Sequence, residues 1–127
     1  MVNPFSSAHA PYTDISADEL KKLMTDGVPV IDIRTPQEWH QTGVLEGSVL
    51  LTLFSNFGGV NPDFVPKLNE MVSTDDPVIL LCRTGSRTRT AAEALVNQLH
   101  YKKVYNVDRG ILDWIARGHP VVPPSHG

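Results

Sequence analysis

The sequence has one cysteine among its 127 residues and contains no long hydrophobic run. One cysteine cannot form an internal disulfide, which excludes a cross-linked secreted scaffold and a zinc site built from cysteines. No segment approaches the roughly 20 apolar residues that span a bilayer, and residues 1–11 lack the charged and apolar parts of a secretory leader. We therefore expect a cytoplasmic protein that does not associate with membranes.

Positive charge is also scarce. The 11 Lys and Arg residues are outnumbered by 14 Asp and Glu, which gives a formal net charge of −3 and no general attraction for nucleic acid. The five histidines show no metal-ligand spacing, and we predict neither a metal nor another cofactor. The length predicts one domain, over residues 12–121. Residues 1–11 and 122–127, rich in Pro and Ser, predict a flexible arm and a flexible tail.

Short apolar segments alternate with amphipathic ones along the chain. The apolar segments predict strands over residues 28–33, 48–53, 78–81 and 104–107. Helices are predicted to begin after Ser16, after Thr35, at Pro62, after the cysteine and at Ile111. This alternation favours a parallel sheet covered by helices on both faces. Trp39 and Trp114 are predicted to lie in the core. Phe54 and Phe57, which flank a predicted loop, either pack in the core as well, which is favoured, or form a pocket rim or a partner contact.

The cysteine stands directly after the third of these apolar segments. It begins the run Cys82, Arg83, Thr84, Gly85, Ser86, Arg87 and Thr88, after which apolar residues recur at helical spacing. The pattern predicts a strand, a tight loop and a helix. It therefore places the sulfur at the carboxyl end of a strand, where open α/β sheets bind their ligands.

The residues around the cysteine are those that stabilise a thiolate. A free thiol is largely protonated at neutral pH, so a nucleophilic cysteine needs nearby positive charge or hydrogen-bond donors. Arg83 and Arg87 supply charge, the following helix presents the positive end of its dipole, and loop N–H groups can converge on an anion. Arg89 either adds charge or pairs with Glu93. The loop therefore predicts attack by sulfur on an oxyanionic or sulfur-containing substrate.

From about Tyr12 to Val121 the chain resembles the rhodanese family, specifically its single-domain sulfurtransferases. The six-residue loop from Cys82 to Arg87 is similar to the cationic loop of thiosulfate-using members. Two further segments resemble family signatures: Asp32, Arg34, Glu38, Trp39, Gly43, Gly47 and Ser48, and then Asn106, Val107, Gly110, Ile111 and Trp114. The family often has histidine where Val44 stands and glycine where Arg109 stands. We expect these two departures to be structural, with Arg109 able to add positive charge near a pocket mouth.

The resemblance implies a rhodanese-like α/β fold with a parallel five-stranded sheet, and a two-step displacement that needs no cofactor. Cys82 would take the outer sulfur of thiosulfate, release sulfite, and pass the sulfur to cyanide or to a thiol, including a protein thiol. Arg83, Thr84, Gly85, Ser86, Arg87 and Thr88 would bind the anion. We expect Asp32, Arg34 and Glu38 to be structural, because carboxylates at strand ends and helix starts commonly cap helices or pair with arginine.

Two other functions remain open from the sequence. Phosphatases and arsenate reductases of related fold have arginine six residues after the cysteine, whereas here that position is Thr88 and Arg87 comes at five. The shorter loop favours a small sulfur anion over a phosphoryl group. The second alternative is a persulfide carrier or interaction module that works with protein partners, which an intact Cys82 does not exclude.

Overall fold

Five strands form one sheet in the computed structural model, which describes residues 11–55 and 58–124. They are β1 (Thr13–Ile15), β2 (Val30–Asp32), β3 (Val49–Leu50), β4 (Val78–Leu81) and β5 (Val104–Val107). Every neighbouring pair is parallel, in the order β1-β5-β4-β2-β3. The predicted five-stranded parallel sheet is confirmed, and β4 lies at its centre with the cysteine directly after it.

The helices cover both faces of the sheet. Within the described ranges they are α1 (Ala17–Thr25), α2 (Pro36–Thr42), α3 (Phe64–Met71), α4 (Ser86–Asn97) and α5 (Gly110–Ala116). Side chains of α3 and α4 form one hydrophobic cluster with alternate strand residues, including Leu80, and with Cys82 directly after β4. Side chains of α1 and α5 form the other cluster with the intervening residues, including Ile79 and Leu81. In this part of the chain, no helix combines the length and apolar character needed to cross a bilayer.

Local signals place the starts of α1 and α2 as predicted, whereas α3 begins at Phe64 and not at Pro62, and α5 begins one residue before Ile111. The Ser16 hydroxyl accepts from the Glu19 N–H, and the Glu19 carboxylate accepts from the Ser16 N–H, which forms the predicted capping box. Thr35 and Glu38 form the same arrangement at the start of α2. Each box satisfies N–H groups that the first helical turn leaves without intrahelical acceptors.

The edge strands differ from the sequence prediction. β1 was not predicted, because Thr13 and Asp14 are exposed and only Ile15 is buried, so no apolar run marks this strand. Parallel backbone pairing with β5 defines β1 as a strand. The strand predicted over residues 48–53 is reduced to β3, although the Leu51 N–H still donates to the Asp32 carbonyl of β2 and the Leu53 N–H to the Ile33 carbonyl directly after it.

The predicted aromatic positions are confirmed for both tryptophans, since Trp39 and Trp114 are buried. Phe54 lines an apolar groove together with Val60 and side chains of α3 and α4. Phe57 lies outside the described residues. Val122, assigned to the flexible tail from the sequence, exchanges two backbone hydrogen bonds with the buried Val44.

Candidate active site

The loop after β4 closes around the sulfur of Cys82. The Gly85 N–H donates to Cys82 Sγ at 3.1 Å, and the Thr88 hydroxyl lies 3.5 Å from the same atom. Gly85 has a φ of 98°, a left-handed conformation that favours glycine. α4 begins at the next residue, so its N-terminal N–H groups and its positive dipole end lie beside the sulfur.

The carbonyls at the start of this loop are turned away towards α5. The Ile111 N–H donates to the Cys82 carbonyl at 2.9 Å, and the Leu112 N–H donates to the Arg83 carbonyl at 3.2 Å. The start of α5 lies so close to the loop that a Cβ atom on Gly110 would lie 2.2 Å from the Arg83 oxygen. A Cβ atom on Gly85 would lie 2.1 Å from the Asp108 oxygen. With these two carbonyls engaged by α5, N–H groups are the main-chain atoms that the loop can offer to an anion.

Arg87 is held by Glu38 from α2. Its two terminal nitrogens donate to the two carboxylate oxygens of Glu38 at 2.8 and 2.6 Å, in the bidentate geometry that gives strong ion pairs. Burial is the largest influence on Glu38 and opposes ionisation, but hydrogen bonds from Arg87 and Thr35 outweigh it and lower the pKa of Glu38. The same hydrogen bond with Glu38 raises the pKa of Arg87. The pair therefore links α2 to the cysteine loop.

Arg34 and Asp32 form a fully buried ion pair next to the loop. Arg34 Nε and one terminal nitrogen donate to the two carboxylate oxygens of Asp32, at 2.9 and 2.8 Å. Three further bonds from the guanidinium go to the Thr42 hydroxyl and to the carbonyls of Glu38 and Gly43. Five donors thus have five acceptors, which explains how this charge is accommodated without water. The network holds α2, and hence Glu38, against the end of β2.

The structure distributes the predicted loop residues between surface and interior. Arg83, Thr84 and Ser86 are exposed, whereas Gly85, Thr88 and Cys82 are buried and Arg87 is half-buried. Cys82 has no exposed surface, although reactive cysteines are commonly partly exposed. Its contacts with the Gly85 N–H and the Thr88 hydroxyl show that its surroundings are not purely apolar. We expect substrate to reach the sulfur from the loop side, since β4 is flanked by β2 and β5.

Two pairings differ from the sequence alternatives. Arg89 lies 3.6 Å from Asp108, so its partner is that carboxylate and not Glu93. Glu38 caps α2 as expected, but its ion pair is with Arg87 and not with Arg34. Both partners are distant in sequence and are brought together by the sheet. Arg109 is exposed and lines a separate cleft beside β1 and β5.

Two polar residues beside the site, Asn106 and Asp14, were given no role from the sequence, although Asn106 belongs to a segment that resembles a family signature. Asn106 is fully buried in β5 and accepts a hydrogen bond from Thr88, and it donates in turn to Asp14 of β1. An asparagine inside the otherwise apolar segment of residues 104–107 is a signal that could have identified the first of them. Asp14 has no such signal, because β1 itself was not predicted.

Replacing Glu38 by glutamine tests the link between α2 and the loop. The variant should be less stable than wild type at neutral pH, because Arg87 loses its charged partner. Folding lowers the pKa of Glu38, so the carboxylate contributes its full stability above the ordinary value of 4.5. That contribution is lost as pH falls through the lower value in the folded state. Urea unfolding of both proteins across this range measures the difference.

The matched control is Glu46→Gln, which changes an exposed carboxylate in the same way. Its stability should follow that of wild type at each pH. A Glu38→Gln difference that stayed constant down to the acid limit would contradict the assigned ion pair.

The buried cysteine after the central strand, the Gly85 N–H that contacts its sulfur and the parallel sheet define an α/β domain built around a buried thiol. The model of the rhodanese-like domain matches residues 16–117. The chain therefore belongs to the rhodanese-like domain family.

Individual relatives agree with this assignment. The chain is 29% identical over 114 residues to a sulfurtransferase of Allochromatium vinosum, covering 88% of this chain and 96% of that protein. It is 28% identical over 112 residues to thiosulfate sulfurtransferase 18 of Arabidopsis thaliana, covering 84% and 81%. The crystal structure of Rv0390 from M. tuberculosis matches with a TM-score of 0.71 at 26% identity, covering 86% of this chain and 96% of that one.

Proposed function

We propose that the protein is a sulfurtransferase that moves sulfane sulfur from thiosulfate to cyanide or a thiol through a persulfide on Cys82. The observation that carries the proposal is the Gly85 N–H bonded to Cys82 Sγ at the N-terminus of α4. Family membership and the relatives named sulfurtransferase support the reaction class. The choice of thiosulfate rests on the cationic loop.

The first step forms a persulfide. The Cys82 thiolate attacks the outer sulfur of thiosulfate, a bond forms between these two sulfurs, and the sulfur–sulfur bond of thiosulfate breaks. Sulfite leaves with the electron pair of the broken bond. N–H groups at the start of α4 would stabilise the departing anion, because they are fixed before the reaction and need little reorganisation. The exposed Arg83 would add positive charge at the mouth of the loop.

The second step returns the enzyme to its starting form. Cyanide, or the sulfur of a thiolate acceptor, attacks the outer sulfur of the persulfide. Thiocyanate, or the acceptor persulfide, leaves, and Cys82 recovers its thiolate. Cys82, the single cysteine of the chain, is the nucleophile of the first step and the leaving group of the second.

Arg87 and Arg83 are expected to contribute differently. Arg87 is already paired with both oxygens of Glu38, so its charge is largely balanced. Arg83 is exposed at the mouth of the loop. We therefore assign attraction of the anionic donor chiefly to Arg83 and the N–H groups, and assign to Arg87 the support of the loop.

A donor panel tests the proposal. After treatment with thiosulfate, the intact protein should gain the mass of one sulfur atom, and cyanide should remove it and yield thiocyanate. Parallel reactions receive mercaptopyruvate or an aryl phosphate. Faster turnover with mercaptopyruvate would contradict the choice of donor, and Cys82-dependent hydrolysis of the phosphate would contradict the reaction class. Poor cyanide turnover by a protein that still gains sulfur would favour the carrier alternative.

A further inference from the structure

A series of hydrogen-bonded polar side chains leads from the sulfur across β5 to the edge strand β1. The Thr88 hydroxyl, 3.5 Å from Cys82 Sγ, donates to Asn106 Oδ1 at 2.5 Å. Asn106 Nδ2 then donates to Asp14 Oδ1 at 2.9 Å. Thr88 and Asn106 have no exposed surface, whereas Asp14 is exposed on β1. A surface carboxylate is therefore connected to the nucleophile by two buried side chains.

Asp14 determines which way the Asn106 amide points. An ionised carboxylate only accepts hydrogen bonds, so the NH₂ group of Asn106 must face Asp14. The amide oxygen must then face Thr88. Turning the amide over would place its oxygen against the carboxylate and its NH₂ group against the Thr88 hydroxyl.

The direction of the amide in turn determines what Thr88 offers to the sulfur. Its hydroxyl has one proton and two nearby carbonyl acceptors, Asn106 Oδ1 at 2.5 Å and the Gly85 oxygen at 3.0 Å. With the proton used by either of these, the hydroxyl presents a lone pair to Cys82 Sγ. In the resting protein, Thr88 can therefore accept the thiol proton but does not donate to a thiolate.

We propose that Asn106 and Asp14 are positioning residues that hold Thr88 as a hydrogen-bond acceptor towards Cys82. The proposal rests on the role of Cys82 in the proposed function. It assigns stabilisation of the thiolate to the Gly85 N–H and the helix start, and not to the Thr88 hydroxyl. Removing the charge of Asp14 frees the amide to turn, and the Thr88 hydroxyl then loses the shorter of its two acceptors. The thiolate competes with the Gly85 carbonyl alone for the Thr88 proton.

Other charged groups lie near the hydrogen-bonded side chains that join Cys82 to Asp14, and they also contribute to the electrostatic field at these residues. Arg87 interacts electrostatically with Cys82. Burial first, and then the charge of Asp14, raise the pKa of Tyr12, which precedes β1. Asp14 also lines the cleft with the charged residues Glu19, Asp108, Arg109, Asp113 and Arg117. A change at Asp14 therefore alters the local field as well as the amide, and the experiment must separate the two effects.

The test is a double-mutant cycle read by alkylation of the single cysteine. Iodoacetamide rates are measured across pH for wild type, Asp14→Asn, Thr88→Val and the double variant. Asp14→Asn should move the midpoint of the profile to lower pH and raise the rate below that midpoint about tenfold. A hydrogen bond to a charged group has this magnitude. With Thr88→Val already present, Asp14→Asn should have no such effect.

Two controls complete the experiment. Asp108→Asn removes a carboxylate from the same cleft without touching the amide and should leave the midpoint close to that of wild type. Asp14→Ala, which also frees the amide, should shift the profile in the same direction as Asp14→Asn. Thermal unfolding establishes that each variant is folded.

An unchanged or higher midpoint in Asp14→Asn would overturn the proposal. A shift that persists with Thr88→Val would also overturn it, because that result assigns the effect to the field of the charge alone. Alkylation requires no sulfur donor, so this test can be carried out even if the protein is inactive with every donor. Such inactivity would contradict the proposed function but would not decide the role of Asn106 and Asp14.

Discussion

Cys82→Ser should form no sulfur adduct with thiosulfate and should lose thiocyanate production by at least about a thousandfold, as expected when a covalent nucleophile is removed. A serine hydroxyl is a weak nucleophile without an activating base, and it does not form a stable sulfur adduct. No second cysteine can replace the lost thiol. Intact-mass measurement after thiosulfate treatment and a thiocyanate assay provide the two readouts.

The substitution changes little else, which makes the result interpretable. Serine is close to cysteine in size, and its hydroxyl can keep the contacts with the Gly85 N–H and Thr88. The midpoint temperature of thermal unfolding should therefore remain near that of wild type. Full thiocyanate production by this variant would refute the assigned nucleophile. In the wild type, alkylation by iodoacetamide at neutral pH that is no faster than for an ordinary exposed thiol would refute the activated thiolate.

Asp32→Ala should lower the free energy of unfolding by about 3–5 kcal/mol, the usual cost of removing one partner from a buried ion pair. Both side chains of the Asp32–Arg34 pair have no exposed surface. The variant leaves the Arg34 guanidinium buried with two donors that have lost their acceptors. Denaturant unfolding of variant and wild type measures the loss.

Two further variants test the physical cause of this loss. Asp26→Ala removes the exposed partner of Lys22 and should cost no more than about 0.5 kcal/mol, as is typical of surface pairs on helices. Asp32→Leu combined with Arg34→Met replaces both charges by apolar groups and should recover much of the stability. An Asp32→Ala protein within about 1 kcal/mol of wild type would contradict the importance of the buried pair.

Features that depend on neighbouring residues could be predicted from the sequence. β5 occupies the predicted segment, and both capping boxes join residues only three positions apart. The strand, loop and helix around Cys82 were predicted for the same reason, since an apolar run, a glycine and helical spacing follow one another directly. Pro66 lies in the first turn of α3, where proline is tolerated because the missing N–H would have no intrahelical acceptor.

The sequence by itself determined the α/β alternation, the strand that ends at the cysteine and the cationic loop, because apolar periodicity and turn residues act over a few positions. Only the tertiary structure decided that Arg87 pairs with Glu38, 49 positions away, and that Asn106 bonds to Asp14, 92 positions away. It also defined β1, whose backbone pairs at the edge of the sheet without an apolar run. The physical reason is that a polar side chain has many possible partners in sequence, and the order of strands selects the one it meets.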